Sequence, residues 1–144
     1  MREILFRGKR LDNGKWVEGA FCPKDCDDPF GPMVDKPSII KLGEPCDGFW
    51  FAVDPATVGQ YTGLTDENGK KIFEGDIVEG HCHSAWRHDL QRCEVAYGRD
   101  GFEARHYVNC GDEMRYFTYR VLFSKDVVVI GNIHDNPELL EVAT

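Results

Sequence analysis

The chain has 144 residues, of which 42% are hydrophobic and 12% aromatic. This length suits one domain or two small lobes, and the composition predicts a folded globular protein rather than a disordered one. The formal net charge is −8, which disfavours nonspecific binding to phosphate backbones. There is no apolar run of the roughly 20 residues that a membrane-spanning helix needs, and the N-terminus lacks the features of a signal peptide. We therefore expect a cytoplasmic protein whose six cysteines are reduced thiols.

The first third of the chain alternates between strand and loop patterns. Residues 3–21 predict a β-hairpin, because Asp12-Asn13-Gly14 supplies the residue types that tolerate positive φ in a tight turn. Residues 22–37 contain four prolines and several aspartates, which predicts a long loop. Two short apolar strands are then expected at Ser38–Leu42 and Phe49–Val53.

The middle of the chain is predicted to turn several times. Asp54 as N-cap and Pro55 at the first position indicate a single helical turn that ends before Gly59. The stretch Gln60–Val78, QYTGLTDENGKKIFEGDIV, then places glycines where bends are needed, while its Ile, Phe and Val residues are expected in the core. Those glycines are Gly63, Gly69 and Gly75.

The last part of the chain predicts more strands and one short helix. Residues 80–91 fit either a long turn or one helical turn. A hairpin is expected around residues 98–101, later strands at Tyr116–Phe123 and Asp126–Ile133, and a short helix that Asn136 caps. The expected fold is mainly β, closed or sandwiched, with short helical turns at its corners. The later part of the chain has the order of a strand, a long loop, a hairpin and a returning strand. A small SH3-like barrel has the same order of elements.

Three segments together carry a resemblance to a known family. FRGKRLDNGKWVEG, QYTGLTDENGKKIFEGDIV and VIGNIHDNPELL resemble, in this order and spacing, the YopX family of phage and prophage proteins. The resemblance implies a small, mostly-β, phage-encoded protein that self-associates, and it supplies no catalytic residues. We accordingly expect a single domain over residues 1–144. It has an N-terminal β part at about 1–59, a central joint at 60–78 and a barrel-like C-terminal part at about 72–144.

A zinc site is the sharpest chemical alternative. Cys22 and Cys26 are separated by three residues, and His81-Cys82-His83 could supply a second group of ligands. On an extended strand, however, Cys82 would point away from the two histidines. Isolated thiols are therefore the favoured interpretation. Thiolate catalysis by Cys82 and a cation site at Asp25, Asp27 and Asp28 have still less support.

Two other groups of residues suggest binding surfaces. Basic and aromatic residues are adjacent at Trp86-Arg87-His88 with Arg92, and at Arg115-Tyr116 with Tyr119-Arg120, as in single-strand binders. Arginines packed along aromatic edges are the favoured interpretation, given the net charge. Three successive aromatics at Phe49-Trp50-Phe51 cannot share one face of a strand. We expect one of the two faces to form a subunit interface.

We therefore predict an uncharacterised phage or prophage accessory protein that is not an enzyme. It would self-associate and bind a host or phage protein, without catalytic, cofactor or metal residues. A nucleic-acid-binding SH3-like module and a zinc-binding protein are the two alternatives.

Overall fold

The structure, a computed structural model, describes residues 4–23, 36–40, 50–81, 90–119 and 125–140. These residues form antiparallel strands, and their helical segments are two short 3-10 turns, so the mainly-β prediction is confirmed. The strands are β1 (Phe6–Lys9), β2 (Trp16–Cys22), β3 (Ser38–Ile40), β4 (Trp50–Ala52), β5 (Gly59–Thr65), β6 (Lys71–Phe73), β7 (Asp76–His81), β8 (Leu90–Gly98), β9 (Gly101–Cys110), β10 (Glu113–Tyr119) and β11 (Val128–Asn132). The 3-10 turns are Pro55–Thr57 and Pro137–Leu140.

The chain divides into two compact units, Met1–Tyr61 and Thr62–Thr144. The division falls inside the stretch 60–78 that was expected to join the two parts of the protein. Strand β5 begins in the first unit and continues into the second. The role of this stretch as a joint between the two parts stays a prediction.

In the first unit, the predicted hairpin forms as β1 and β2. Lys9 pairs with Trp16, and the turn between them includes Gly14 at φ +68°. The Asn13 side chain accepts a hydrogen bond from the amide of Lys15 at 2.9 Å, which closes the turn locally. The sheet continues from β2 to β3 and from β3 to β4 on one side, and from β1 to β5 on the other.

One glycine of β2 is required by a close approach of two backbones. A Cβ atom added to Gly19 would lie 1.9 Å from the carbonyl oxygen of Ile40 on β3. Ile39 and Val53 are fully buried in the same unit. A side chain at position 19 would therefore push β3 away from its place in the sheet.

The helical turn after β4 forms as its sequence predicts. Pro55 occupies its first turn, and the Asp54 carboxylate accepts a hydrogen bond from the Ala56 amide at 3.1 Å. The Thr57 hydroxyl then accepts a hydrogen bond from the amide of Lys9 at 2.9 Å. The turn thereby bonds to the end of β1.

In the second unit, a five-stranded antiparallel sheet has the order β10-β9-β8-β7-β11. The hairpin expected around residues 98–101 joins β8 to β9, where Gly98 pairs with Gly101. The expected strand at 116–123 begins earlier, at Glu113, and 120–124 lie outside the described residues. Gly63, Gly69 and Gly75 all have positive φ; Gly69 and Gly75 lie at bends as predicted, whereas Gly63 lies within strand β5.

The SH3-like barrel is not confirmed. Strand β7 lies between β8 and the returning β11, but β10 continues the sheet beyond β9. Among the described strands, no pairing joins β10 to β11, so the sheet is open and has two edges. The extra hairpin arm formed by β9 and β10 was absent from the predicted strand order.

The core of the second unit lies against one face of this sheet. Its buried members are Ile72, Val78, Cys93, Val95, Ala104 and Val127, with Leu64, Phe102 and Val129 packed against them. On β8 the buried Cys93 and Val95 alternate with the more exposed Arg92 and Glu94. This period of two places a polar row on the opposite face of the sheet.

Asp66 connects the turn after β5 to the edge strand β11. Its carboxylate accepts hydrogen bonds from the amides of Asn68 (2.9 Å), Lys70 (2.8 Å) and Val129 (3.0 Å). Burial raises the pKa of this carboxyl group, but these backbone amides and the Lys70 charge outweigh burial and leave the pKa lowered. Asp66 is 7% exposed, so the residue itself is largely shielded from water, and the hydrogen bonds that it accepts are part-buried.

The C-terminal motif GNIHDNPELL folds into a compact local structure. The Asn132 side chain accepts hydrogen bonds from the amides of His134 (3.0 Å) and Asp135 (2.8 Å). A Cβ atom at Gly131 would lie 2.6 Å from the Asn136 side-chain oxygen, so glycine is needed there. Pro137 starts the 3-10 turn as predicted, and the Asn136 carbonyl accepts from the Leu139 amide at 3.1 Å.

In the portion of the chain that the structure describes, no helix has the length and apolar character needed to cross a membrane.

We predict that Gly19→Ala lowers the free energy of unfolding by more than Gly14→Ala does. The new methyl group would meet the Ile40 carbonyl, and such overpacking costs about 1–3 kcal/mol. At Gly14 nothing lies within 4 Å, so the cost there is the positive φ alone, about 1 kcal/mol. Urea denaturation followed by tryptophan fluorescence measures both. Equal losses would contradict the close approach.

We predict that Asp66→Ala destabilises the protein by about 2–4 kcal/mol, because three part-buried backbone hydrogen bonds lose their acceptor. Asp66→Asn keeps one oxygen but turns an NH₂ group toward an amide, so it should also destabilise. Glu67→Ala, at the next, exposed position, is the matched control and should be nearly neutral. Chemical denaturation of the three variants gives the comparison.

The same carboxylate makes stability depend on pH. Because the folded pKa of Asp66 is lowered, its contribution is present above the unfolded pKa of about 3.9 and is lost as pH falls through the folded value. We therefore expect the stability difference between wild type and Asp66→Asn to shrink as pH drops below about 4. A difference that stays constant over this range would contradict a paired carboxylate.

Candidate interaction surface

The β9–β10 hairpin forms because a glycine permits a tight turn between two strand-forming runs. Gly111 has φ +81° and, with Asp112, joins Cys110 to Glu113. Glycine at the first central position is typical of a two-residue type II′ turn. The pairing then continues without a register shift as far as Tyr119 and Ala104.

Strand β10 exposes large apolar side chains on both of its faces. Met114 is 61% exposed, Tyr116 47% and Phe117 55%. Met114 and Tyr116 share one face of the strand, whereas Phe117 lies on the other because side chains alternate. No described strand pairs with the outer side of β10. An exposed apolar edge of this kind is a template for pairing with another strand.

A polar cluster fixes one face of the hairpin at its base. The Arg105 guanidinium donates to the Glu103 carboxylate at 2.8 and 3.0 Å and lies 4.5 Å from the centre of the Tyr116 ring. The Tyr116 ring in turn lies 5.8 Å from the ring of Tyr107, at a tilted angle. These contacts hold the Tyr116 side chain against β9 while almost half of it stays exposed.

The electrostatics of this cluster favour a charged Arg105 and a neutral Tyr107 hydroxyl. The Glu103 carboxylate raises the pKa of Arg105, and burial acts in the opposite direction. The Tyr107 hydroxyl donates to the Glu94 carboxylate at 2.6 Å. Burial, and then the Glu94 carboxylate, raise the pKa of the Tyr107 hydroxyl. The face thus carries one arginine that remains charged and one tyrosine that resists ionisation.

The residues considered for zinc binding are only partly described. Cys22 is buried, and its thiol lies 3.5 Å from the Pro23 carbonyl oxygen. His81 is exposed at the end of β7 and is paired through Nδ1 with the Asp126 carboxylate. Cys26, Cys82 and His83 lie outside the described residues, as do the three aspartates at 25, 27 and 28. Among the described residues, no three His, Cys, Asp or Glu side chains are grouped as metal ligands.

Of the arginines considered for nucleic-acid binding, the two that the structure describes are paired with carboxylates. Arg92 donates to Glu79 at 3.2 Å and to the Leu139 carbonyl oxygen at 3.2 Å. Arg115 lies 3.3 Å from Glu113 two residues away. Arg115 and Tyr116 project from opposite faces of β10, so they do not form one basic and aromatic surface. The segment at 86–88 and Arg120 lie outside the described ranges.

The aromatic run on β4 is also only partly described. Trp50 and Phe51 are half-buried and pair with Ile40 and Ile39, whereas Phe49 lies outside the described residues. The Arg10 guanidinium lies 4.2 Å from the centre of the Phe51 ring and also pairs with Asp12. The expectation of an interface on β4 stays a prediction.

Comparison with known proteins places the chain in a family. The family model described as YopX protein matches residues 5–141. The chain belongs to the YopX family. The match covers nearly the whole chain, including the segments between the three motifs on which the resemblance was based.

A solved structure is similar over the same length. The crystal structure of protein EF1440 from Enterococcus faecalis has 28% sequence identity and a TM-score of 0.52, and the alignment covers 98% of this chain and 100% of that one. A search of the curated proteins finds no match. The family match thereby shows the family of the chain, and the solved structure has a similar fold.

Sequence reasoning missed the β10 edge as a candidate surface. The predicted strand starts only at Tyr116, and Arg115-Tyr116 was considered for nucleic acid alone. The signal that could have found the hairpin is Gly111-Asp112 between two runs of alternating residues. The exposure of the strand could not be read in this way, because it depends on which strands pair.

We predict that one tyrosine of the folded protein ionises above the ordinary pKa of about 10, and that Tyr107→Phe removes this step. Because the folded pKa is raised, the contribution of Tyr107 to stability is present below about pH 10 and is lost as pH rises through the folded value. Tyrosinate absorbance measured against pH tests this. Tyr97→Phe, at an exposed tyrosine on the neighbouring strand β8, is the control and should leave the late step in place.

Proposed function

We propose that this YopX-family chain is a non-enzymatic accessory protein of phage or prophage origin that acts by binding protein, and that it self-associates through β10. The observation that carries the proposal is the run of exposed apolar side chains on an edge strand. Met114, Tyr116 and Phe117 each leave about half or more of their surface exposed. Scattered single residues of this type are ordinary, whereas neighbouring ones mark interaction surfaces.

The two edge strands of the five-stranded sheet, β11 and β10, differ in how far their outward backbone groups are already bonded. At β11 the Val129 amide donates to Asp66, the Val127 carbonyl accepts from Glu67, and the register shifts between Val129 and Gly131. Bulges and side-chain caps of this kind discourage a further strand from pairing. Over its described length, β10 has no register shift and no proline, so its outer edge is suited to pairing.

The surroundings of β10 support a built surface rather than an accidental exposure. The Arg105 cluster holds Tyr116 in one orientation, and so reduces the side-chain entropy that binding would otherwise cost. Tyrosine and arginine are also the residue types that contribute most at protein interfaces. A strand-edge contact is small, so we expect association that depends on protein concentration.

The test is sedimentation velocity over a range of concentrations. We expect the wild-type protein to form dimers or larger species, and Met114→Lys/Phe117→Lys to shift it to monomer because two charges would be buried in the contact. Leu11→Lys is the matched control. The exposed fraction of Leu11, 54%, is nearly that of Phe117, 55%, but Leu11 lies in the β1–β2 turn.

A wild-type protein that is monomeric at every concentration would overturn the self-association. A double variant that associates as well as the wild type would show that β10 is not the surface. Circular dichroism of each variant confirms that the fold is retained, since all three positions are exposed and a lysine there is compatible with the strand or turn.

A further inference from the structure

The hairpin determines which peptide groups of β10 face outward. A two-residue turn is closed by a hydrogen-bonded pair, here Cys110 and Glu113, and such pairs then recur at every second residue. The peptide groups of Arg115 and Phe117 therefore face β9. Those of Met114, Tyr116 and Thr118 face away from it, toward the open side of the sheet.

We propose that two copies of this chain form a two-fold symmetric dimer in which β10 of one protomer pairs antiparallel with β10 of its partner, with Tyr116 at the axis. This proposal rests on the proposed self-association and adds the partner strand and its register. Pairing of identical edges is closed and self-complementary, so it joins two five-stranded sheets into one continuous sheet.

Backbone geometry restricts the possible registers. Only the outward peptide groups can bond across the axis, so Met114, Tyr116 and Thr118 must lie opposite one another or themselves. With Tyr116 at the axis, Met114 of one protomer lies opposite Thr118 of its partner, and all seven residues of β10 find a partner position. Any other axis pairs fewer of the described residues of β10.

Charge repulsion and the pairing of the apolar side chains favour the same register, with Tyr116 at the axis. An axis at Arg115 would place two arginines directly opposite each other, which is destabilising. An axis at Phe117 would leave Met114 with no described residue of the partner strand opposite it. With Tyr116 at the axis, neither penalty arises, and each of the three exposed apolar residues lies opposite a described residue of the partner strand.

The side chains that meet in this register are compatible. On one face, the Tyr116 rings of the two protomers lie side by side, each still supported by its own Arg105. On the other face, Arg115 lies opposite Phe117 of the partner, in two symmetric copies. A guanidinium over an aromatic ring is favourable, and the chain already uses this contact between Arg105 and Tyr116.

The register can be tested by disulfide cross-linking under mild oxidation. Opposite residues of a hydrogen-bonded pair have Cα atoms about 5.5 Å apart, inside the range of about 4.4–6.8 Å that a disulfide spans. Tyr116→Cys should therefore give a dimer in which the new thiols of the two protomers are linked to each other. In Met114→Cys the two thiols would be four residues apart along the strands, about 13 Å, and should not link.

A second variant avoids changing Tyr116. The double variant Met114→Cys/Thr118→Cys should link position 114 of one protomer to position 118 of its partner. Because the chain has six cysteines of its own, including the exposed Cys110, each variant is compared with the parent protein. Mass spectrometry of non-reduced peptides identifies which two positions are joined.

The outcomes distinguish the proposed register from the proposed self-association on which it rests. Links at 116–116 and 114–118 support the register. A protein that associates but links in Met114→Cys alone, or in neither the Tyr116→Cys nor the double variant, overturns the register and leaves self-association standing. A parent protein that sediments as a monomer overturns both. If Tyr116→Cys weakens association, the presence or absence of the 114–118 link in Met114→Cys/Thr118→Cys decides whether the register is correct.

Amide hydrogen exchange gives a readout that needs no substitution. When the protein concentration is raised, the amides of Met114, Tyr116 and Thr118 should exchange several-fold more slowly. They gain hydrogen-bond acceptors on the partner strand. The amides of Arg115 and Phe117 already bond to β9 and should change less. Uniform protection along β10, or none, would contradict edge pairing.

Discussion

The buried carboxylate of Asp66 is the interaction on which the second unit most depends. It accepts hydrogen bonds from the turn that follows β5 and from the amide of Val129 on β11. Three backbone amides in part-buried hydrogen bonds would otherwise lose this acceptor, and each such loss costs free energy. A single side chain thereby ties a local turn to a strand more than 60 residues away.

This arrangement also explains why the two edges of the sheet are unequal. On the β11 side, the edge amide of Val129 is used by Asp66, and Glu67 bonds to the carbonyl of Val127. On the β10 side, the described residues offer no comparable cap, and the strand carries exposed apolar side chains. The backbone groups at the β11 edge are bonded within the chain, whereas the β10 edge is suited to pairing with a strand from another chain.

Much of the local structure follows from residue types at particular positions. Asn13-Gly14, Asp54-Pro55 and Gly75 each predicted a turn that forms, because a positive φ or a capping oxygen is a local requirement. The candidate surface could not be predicted in this way. Tyr116 and Phe117 look like core residues in a strand pattern, and they are exposed because β10 lies at the edge of its sheet. Exposure depends on a strand's place in the sheet, which local propensity does not contain.

By itself, the sequence determined that this is a mainly-β protein of the YopX family, with its turns at specific glycines, asparagines and prolines. Those features are local, because each depends on the conformations that one or two residues allow. Only the tertiary structure decided that the C-terminal strands form an open sheet, that Asp66 closes one of its edges, and that β10 remains exposed at the other. These outcomes depend on contacts between residues far apart in the chain, whose loop-closure and packing energies no short pattern records.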